Sequence, residues 1–202
     1  MICGACQGWI SPIVDKAAGT LACPKCGYSE RRPFLPLFIV TGPSGAGKTA
    51  VVPELQRLLP EWEVFETDIL WDSGGNWTTV KCNWLRIADS LAQRPHGRPT
   101  ILCGTILPEH IAECDSRPLF SEVHWLALTC EPDVLAARLR ARPAWRGCDE
   151  KFIVAQLEYL HWLTVDTATA IQPPLQIVDT TDAPISETAR RVRDWAVTLR
   201  ER

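Results

Sequence analysis

Gly42-Pro43-Ser44-Gly45-Ala46-Gly47-Lys48-Thr49 is a complete P-loop pattern. The apolar run Leu35-Pro36-Leu37-Phe38-Ile39-Val40 leads into it, and Ala50 to Leu59 follows with helical spacing. Strand, glycine-rich loop and helix in that order are the context the pattern requires. The glycines let the backbone curl so that successive N–H groups point inward, and the next helix adds its positive end. Together these donors stabilise bound phosphate. On this reading residues 42–49 hold the phosphates of ATP, Lys48 reaches the β- and γ-oxygens, and the Thr49 hydroxyl ligates Mg²⁺.

Working outward, the rest of the chain alternates short apolar runs with helical stretches. Strands are expected at Trp62 to Thr67, Thr100 to Cys103, Val123 to Leu128 and Leu175 to Val178. Helices are expected at Lys81 to Gln93, Glu131 to Arg142, Asp149 to about Thr169 and Glu187 to Arg200. Alternation of this kind implies an α/β fold with a mainly parallel sheet covered on both faces, a three-layer sandwich. At 202 residues and 46% hydrophobic, the chain suffices for one such domain plus a small appendage. A net charge of −3 gives no support for a nucleic-acid surface. No apolar run approaches a membrane span, and the N-terminus lacks the basic start and apolar core of a signal peptide, so a cytoplasmic location is expected.

The appendage is residues 1–32, with the main domain at 33–202. Cys3-x2-Cys6 and Cys23-x2-Cys26 are separated by 16 residues, the spacing of a structural Zn²⁺ ribbon. So short a segment buries little core, so the metal would supply its folding free energy. Gly4 and Gly27 are expected to ease the two knuckles. A pair of disulfides or a redox CxxC is the rival reading. The ribbon is either a cap or protein-contact module on the main domain or, against its weak basic charge, a nucleic-acid grip. The other five cysteines are scattered. They read as small hydrophobes in a reducing compartment.

Asp68 is the strongest chemical candidate after the loop. It follows the second strand of the main domain, and ligands of open parallel sheets sit beyond the carboxyl ends of strands. A carboxylate there can accept a proton from a hydroxyl or orient a Mg²⁺-bound water; a helix cap or solvated turn is the plainer alternative. Glu66 and Asp72 are weaker candidates. Arg138, Arg142 and Arg146 lie where a helix breaks at Pro143, and such arginines can clamp a transferring phosphoryl group, with a solvated charged face as the equal alternative for each. Arg140 reads as a solvated charge. Asp179 and Thr180 follow the last strand and are expected on the adenine side of the nucleotide, with a plain turn as the equal alternative. No acid follows the third strand, where Leu102-Cys103-Gly104-Thr105 stands. His110, His124 and His161 are isolated in sequence and read as surface or core residues.

Gly42-x-Ser44-x-Ala46-Gly47-Lys48, then Leu55-Gln56-x-x-Leu59-Pro60-Glu61 and Phe65-x-x-Asp68, resembles the chloramphenicol phosphotransferase-like group of P-loop kinases. Val123-x-Trp125-Leu126 with Cys130 before an arginine-bearing helix is similar to the same group. The resemblance implies a P-loop NTPase fold with five parallel strands in the order 2-3-1-4-5 and a mobile lid after the fourth. It further implies ATP-dependent phosphorylation of a small-molecule hydroxyl, with Asp68 as general base and Arg142 or Arg146 as lid arginine. The acidic pair that chloramphenicol kinases carry after the third strand is missing here, and the ribbon is an addition. The segment Trp71 to Thr79, with two tryptophans and two glycines, is expected to be a loop that either wraps a ring-bearing acceptor such as a nucleoside or antibiotic or, equally, is a surface loop with two buried tryptophans. A polynucleotide-end kinase and a regulatory NTPase are the two alternatives.

Overall fold

The computed structural model describes residues 1–71, 76–165 and 175–201. Two sheets organise them. The first is a three-stranded antiparallel sheet of β1 (Ile13–Asp15), β2 (Thr20–Ala22) and β3 (Ser29–Arg31). The second is a five-stranded parallel sheet of β4 (Leu37–Thr41), β5 (Glu63–Glu66), β6 (Thr100–Cys103), β7 (Val123–Thr129) and β8 (Gln176–Asp179). Its spatial order is β5-β6-β4-β7-β8, which is 2-3-1-4-5 when its strands are counted from the P-loop strand.

Helices α1 (Lys48–Leu58), α2 (Trp77–Ala92), α3 (Pro108–Ile111), α4 (Pro132–Arg140), α5 (Glu150–Val165) and α6 (Ile185–Arg200) surround this sheet. β4 is buried along its whole length, as a central parallel strand must be. Its alternating residues feed two cores. Phe38 and Val40 pack with Leu55 of α1 and Val192, Trp195 and Ala196 of α6. Leu37 and Ile39 pack with Trp84, Leu85 and Ala88 of α2 and with Trp125. The sheet is thereby sandwiched, and its carboxyl edge is left to the loops.

α2 begins at Trp77, four residues before the apolar spacing alone suggests. Asn76 is the reason: its side-chain oxygen accepts the backbone N–H of Thr78 at 2.8 Å and caps the helix. The expected loop from Trp71 to Thr79 is therefore shorter, and Asp72, Ser73, Gly74 and Gly75 lie outside the described residues. The short helix α3 was not expected from the pattern.

The cysteine reading needs one correction. Cys82 and Cys114 are joined by a disulfide, with Cα atoms 5.2 Å apart, that ties α2 to the segment after α3. They stand 32 residues apart in sequence, and only the packing of α2 against α3 brings them together. Cys103 and Cys130 are buried free thiols, as expected of small hydrophobes.

The ribbon lies against the larger sheet's layers. Lys16 Nζ donates to the Ser121 carbonyl at 3.0 Å, Gln93 Nε2 donates to the Pro33 carbonyl at 3.3 Å, and Arg32 pairs with Asp89 of α2. Among the described residues, no helix is long and apolar enough to cross a membrane.

Candidate functional site

The P-loop leaves β4 at Thr41 and enters α1 at Lys48. Gly42 has φ +139°, and a Cβ there would lie 2.3 Å from the Leu128 carbonyl oxygen, so no other residue fits without a shift of backbone. Lys48 is folded back on the loop: Nζ donates to the carbonyls of Gly42 at 2.7 Å and Pro43 at 2.9 Å. Burial lowers its pKa to about 8, against the opposing charge of Asp68; Arg142 lowers it further.

A cleft opens above the loop. Ser44, Gly45, Gly47, Lys48, Thr49, Asp68, Thr105, Arg138, Arg142 and Arg146 line it, joined by Phe152 of α5. Asp68 stands on the single 3-10 turn Thr67–Leu70 that follows β5. Among the described residues no hydrogen bond ties its carboxylate, so it caps no helix. That turn is seated by a close approach at Gly104, where a Cβ would lie 1.7 Å from Thr67 Oγ1.

The arginines divide. Arg138 spans from α4 to the segment after β8: its guanidinium donates to the Thr180 and Thr181 carbonyls at 2.8 and 3.1 Å and to Thr180 Oγ1 at 3.2 Å. Arg142 and Arg146 line the cleft from the segment after α4, and Arg146 lies over the exposed Trp145 ring at 5.2 Å. Arg140 points away and pairs with Glu150 at 2.8 Å, the solvated charge expected of it.

Thr180 lines a second hollow beside the loop with Gly45, Ala46, Gly47, Arg138 and Ile185, and its hydroxyl donates to the Ala46 carbonyl at 3.1 Å. Asp179 does not join it. Its carboxylate accepts the Thr181 N–H at 2.7 Å and hydroxyl at 2.6 Å, so it is the turn residue of the alternative reading.

Four features escaped the sequence reading or were ranked low. Glu66 Oε1 accepts the Thr49 hydroxyl at 2.5 Å, which places a carboxylate beside the last residue of the P-loop, whereas β6 ends without one. Cys103, at the end of β6, is a buried thiol pushed up to about 12 by burial and stays protonated. Gln156 Oε1 accepts the Ser44 N–H at 2.7 Å, and the Tyr159 hydroxyl meets Thr41 Oγ1 at 3.0 Å, so α5 is fastened to the loop. Their signal was their three-residue spacing on one face of α5, visible only once the helix is known to cross the loop. Lys81 and His110 form the fourth feature: Lys81 Nζ is 2.7 Å from His110 Nδ1, so His110 is not isolated.

The four ribbon thiols lie within 4.8 Å of one another. Cys3 and Cys26 Sγ are 3.8 Å apart and Cys6 and Cys23 Sγ 3.9 Å. Thiolates on a tetrahedral zinc, each at about 2.3 Å from it, stand about 3.8 Å from one another, and a disulfide would need about 2 Å. The donor set therefore fits zinc and excludes the paired-disulfide reading. The two knuckles share one hydrogen-bond pattern, Gln7 N–H to Cys3 O and Gly27 N–H to Cys23 O, both 3.0 Å. Gln7 (φ +56°) takes the left-handed position that Gly27 (φ +75°) takes in the second knuckle, so the expectation for Gly4 moves to Gln7. The backbone N–H groups of Cys6 and Ala5 bring the Cys3 thiol down to about 7, while Cys26, despite its backbone hydrogen bond from Tyr28, is pushed up to about 11 by the neighbouring Cys23 thiol.

No protein-family model matches the chain, and no curated protein matches its sequence. Solved structures do. A gluconokinase from Sinorhizobium meliloti superposes with a TM-score of 0.56 at 21% identity, over 84% of this chain and 96% of that one. A shikimate kinase from Acinetobacter baumannii, solved with shikimate, gives 0.54 at 16% identity over 85% and 97%. A sugar kinase from Janibacter gives 0.54 at 19% over 82% and 95%. The fold is that of the P-loop kinases. Within this P-loop kinase fold the cleft above Gly42 to Thr49 lies beyond the carboxyl ends of β4, β5 and β6, where open parallel sheets hold their ligands.

Proposed function

We propose that the protein is an ATP-dependent kinase that transfers the γ-phosphoryl group to a hydroxyl of a small molecule. One observation carries the reading: Asp68, whose carboxylate makes no hydrogen bond among the described residues, lines the same cleft as Lys48, Thr49, Arg142 and Arg146. A base, a phosphate cradle and a pair of clamping arginines are the parts phosphoryl transfer needs. The neighbours in fold include kinases named for gluconate and for shikimate, and this supports a small acceptor.

On this reading the triphosphate replaces the Gly42 and Pro43 carbonyls as the partner of Lys48. The hollow lined by Thr180 and Arg138 takes the base. Thr49, with Glu66 behind it, would hold Mg²⁺, which supplies charge neutralisation between the β- and γ-phosphates. Asp68 takes the proton of the acceptor hydroxyl as its oxygen bonds to Pγ and the bond from Pγ to the β-phosphate oxygen breaks. ADP leaves with those electrons. Arg142 and Arg146 stabilise the charge spread over the equatorial oxygens.

Residues 33–202 would form the kinase domain and residues 1–32 a zinc-held cap seated on it through Lys16 and Arg32. The test is transfer from γ-labelled ATP to pools of sugars, hydroxy acids, nucleosides, antibiotics and oligonucleotides. Label is expected in a small acceptor, at a rate lowered about 10²- to 10³-fold in Lys48→Ala and about 10²- to 10⁴-fold in Asp68→Asn. Label only in oligonucleotides, or phosphate release with no acceptor, would replace the proposal.

A further inference from the structure

Lys81 is a buried charge on α2, the helix packed on the turn that carries Asp68, and phosphoryl transfer from ATP does not use it. Trp77, Lys81 and Trp84 follow one another on a single face of α2, four and three residues apart. Both outer members bind the turn that carries Asp68. The Trp84 indole N–H donates to the Thr67 carbonyl at 2.8 Å. Trp77 stacks on Trp71 at 3.8 Å and 7°, and the Trp71 N–H donates to the Asp68 carbonyl at 3.0 Å. Lys81 lies between them, with its ammonium 5.9 Å from the Trp77 ring centre.

Its surroundings do not explain its charge. Lys81 is 7% exposed, yet among the described residues no carboxylate lies within ion-pair distance. Its hydrogen-bond partner is an imidazole. His110 Nδ1 also accepts the Leu107 N–H, at 3.1 Å, so that nitrogen is the lone-pair side and the ring proton sits on Nε2. A buried ammonium resting on a neutral ring is costly without a counter-charge. The nearest acidic influence is exposed Glu109, which also acts on Tyr159 of α5, and Tyr159 is bonded to Thr41 at the mouth of the P-loop. The ammonium thus sits between α3, through His110, and the two tryptophans that hold the turn of Asp68.

We propose that Lys81, supported by His110, is the anion-recognition residue of the acceptor site, so that the acceptor carries an oxyanion, carboxylate or phosphate monoester, besides the hydroxyl it presents to Asp68. The inference rests on the kinase reading for its word acceptor, and on the geometry alone for its anion. The acceptor's charge supplies the missing counter-charge and anchors the molecule one helical face away from the base. Neutral sugars and uncharged antibiotics, which lack that anchor, are poor substrates.

Two measurements test this. In the first, the P-loop is saturated with a non-hydrolysable ATP analogue and Mg²⁺. Tryptophan fluorescence is then titrated with methylphosphonate and, separately, acetate. A saturable response to one of them is expected, lost in Lys81→Met and retained in weakened form in Lys81→Arg; the responding anion says which oxyanion class the site takes. A wild-type protein with no saturable response to either overturns the inference, whatever the transfer assay gives. In the second, transfer is compared within pairs, gluconate against glucose and glycerol 3-phosphate against glycerol. The anionic member is expected to be preferred about 10- to 100-fold in kcat/KM, and Lys81→Met to raise its KM by a similar factor with the KM for ATP unchanged. Equal use of the neutral members overturns the inference. An intact anion response with no transfer to any acceptor would remove the kinase reading and leave the anion site standing.

Discussion

The Thr49 hydroxyl donates to Glu66 Oε1 at 2.5 Å, which joins the last residue of the P-loop to the end of β5. β6, the usual source of a metal-side acid in such folds, ends here in Cys103, a protonated thiol. On the proposed kinase reading Glu66 would orient the Thr49 oxygen toward Mg²⁺, or hold the cation's water. Residues of this kind typically change metal affinity 10- to 100-fold when removed, so Glu66→Gln is expected to raise the Mg²⁺ concentration for half-maximal transfer by about that factor. Saturating Mg²⁺ should restore most of the rate. A loss of rate that no Mg²⁺ concentration repairs would instead place Glu66 in the chemistry.

Nucleotide binding should take up a proton near pH 8. In the free protein burial lowers Lys48 to about 8, while Asp68 and Glu66 act to raise it and Arg142 to lower it further. Below that pH the ammonium is charged before ATP arrives. Above it the group is largely neutral, and the triphosphate favours its protonation and raises its pKa. Calorimetry in Tris and HEPES at pH 8.5 should give different apparent enthalpies, corresponding to a fraction of a proton bound, and the difference should shrink at pH 7. Lys48→Met should abolish it. Equal enthalpies in both buffers at pH 8.5 would place the working pKa of Lys48 outside this range.

Most of this fold was legible because its signals are local. The P-loop pattern, the alternation of apolar runs and the Cys3/Cys6 and Cys23/Cys26 spacing are each short-range, and each reappears in the structure. The strand order followed from the resemblance and stands. What stayed hidden depends on packing between distant segments. Cys82 pairs with Cys114, and Lys81 with His110, only because α3 lies on α2, and α3 is four residues long with no period to read. Asp179 and Thr180 could not be ranked from sequence. Which of the two faces the loop depends on the turn that Thr181 closes.

The disulfide supplies a stability prediction. Closing a 32-residue separation in the unfolded chain is worth about 3–4 kcal/mol on chain-entropy grounds. Reductant should lower the melting temperature by about 7–14 °C for a chain of this size. Cys82→Ser and Cys114→Ser should each show the same lowered value and no further response to reductant. Because the bridge holds α2 near α3, both variants should also loosen the Lys81–His110 contact and weaken the anion response. A full complement of free thiols in the unreduced, denatured protein would show the bridge to be absent.

Zinc removal should act on the ribbon first and on the cleft second. The ribbon's own core is small, made of Cys3, Ile10 and Cys23 with Met1 against them, so without a metal little holds β1 to β3 together. About one zinc per chain is expected by elemental analysis. A chelator should abolish hydrogen-exchange protection across residues 13–31, and Cys23→Ser should do the same. The larger sheet has its own two cores and should stay folded. α2 carries both Asp89, which grips Arg32 of the ribbon exit, and Lys81, two turns earlier on the same helix. Loss of the ribbon should therefore release one end of α2 and raise the KM for the acceptor while leaving that for ATP unchanged. An equal rise in both would mean that the ribbon supports the whole domain, and no change in either would confine its role to contacts outside the cleft.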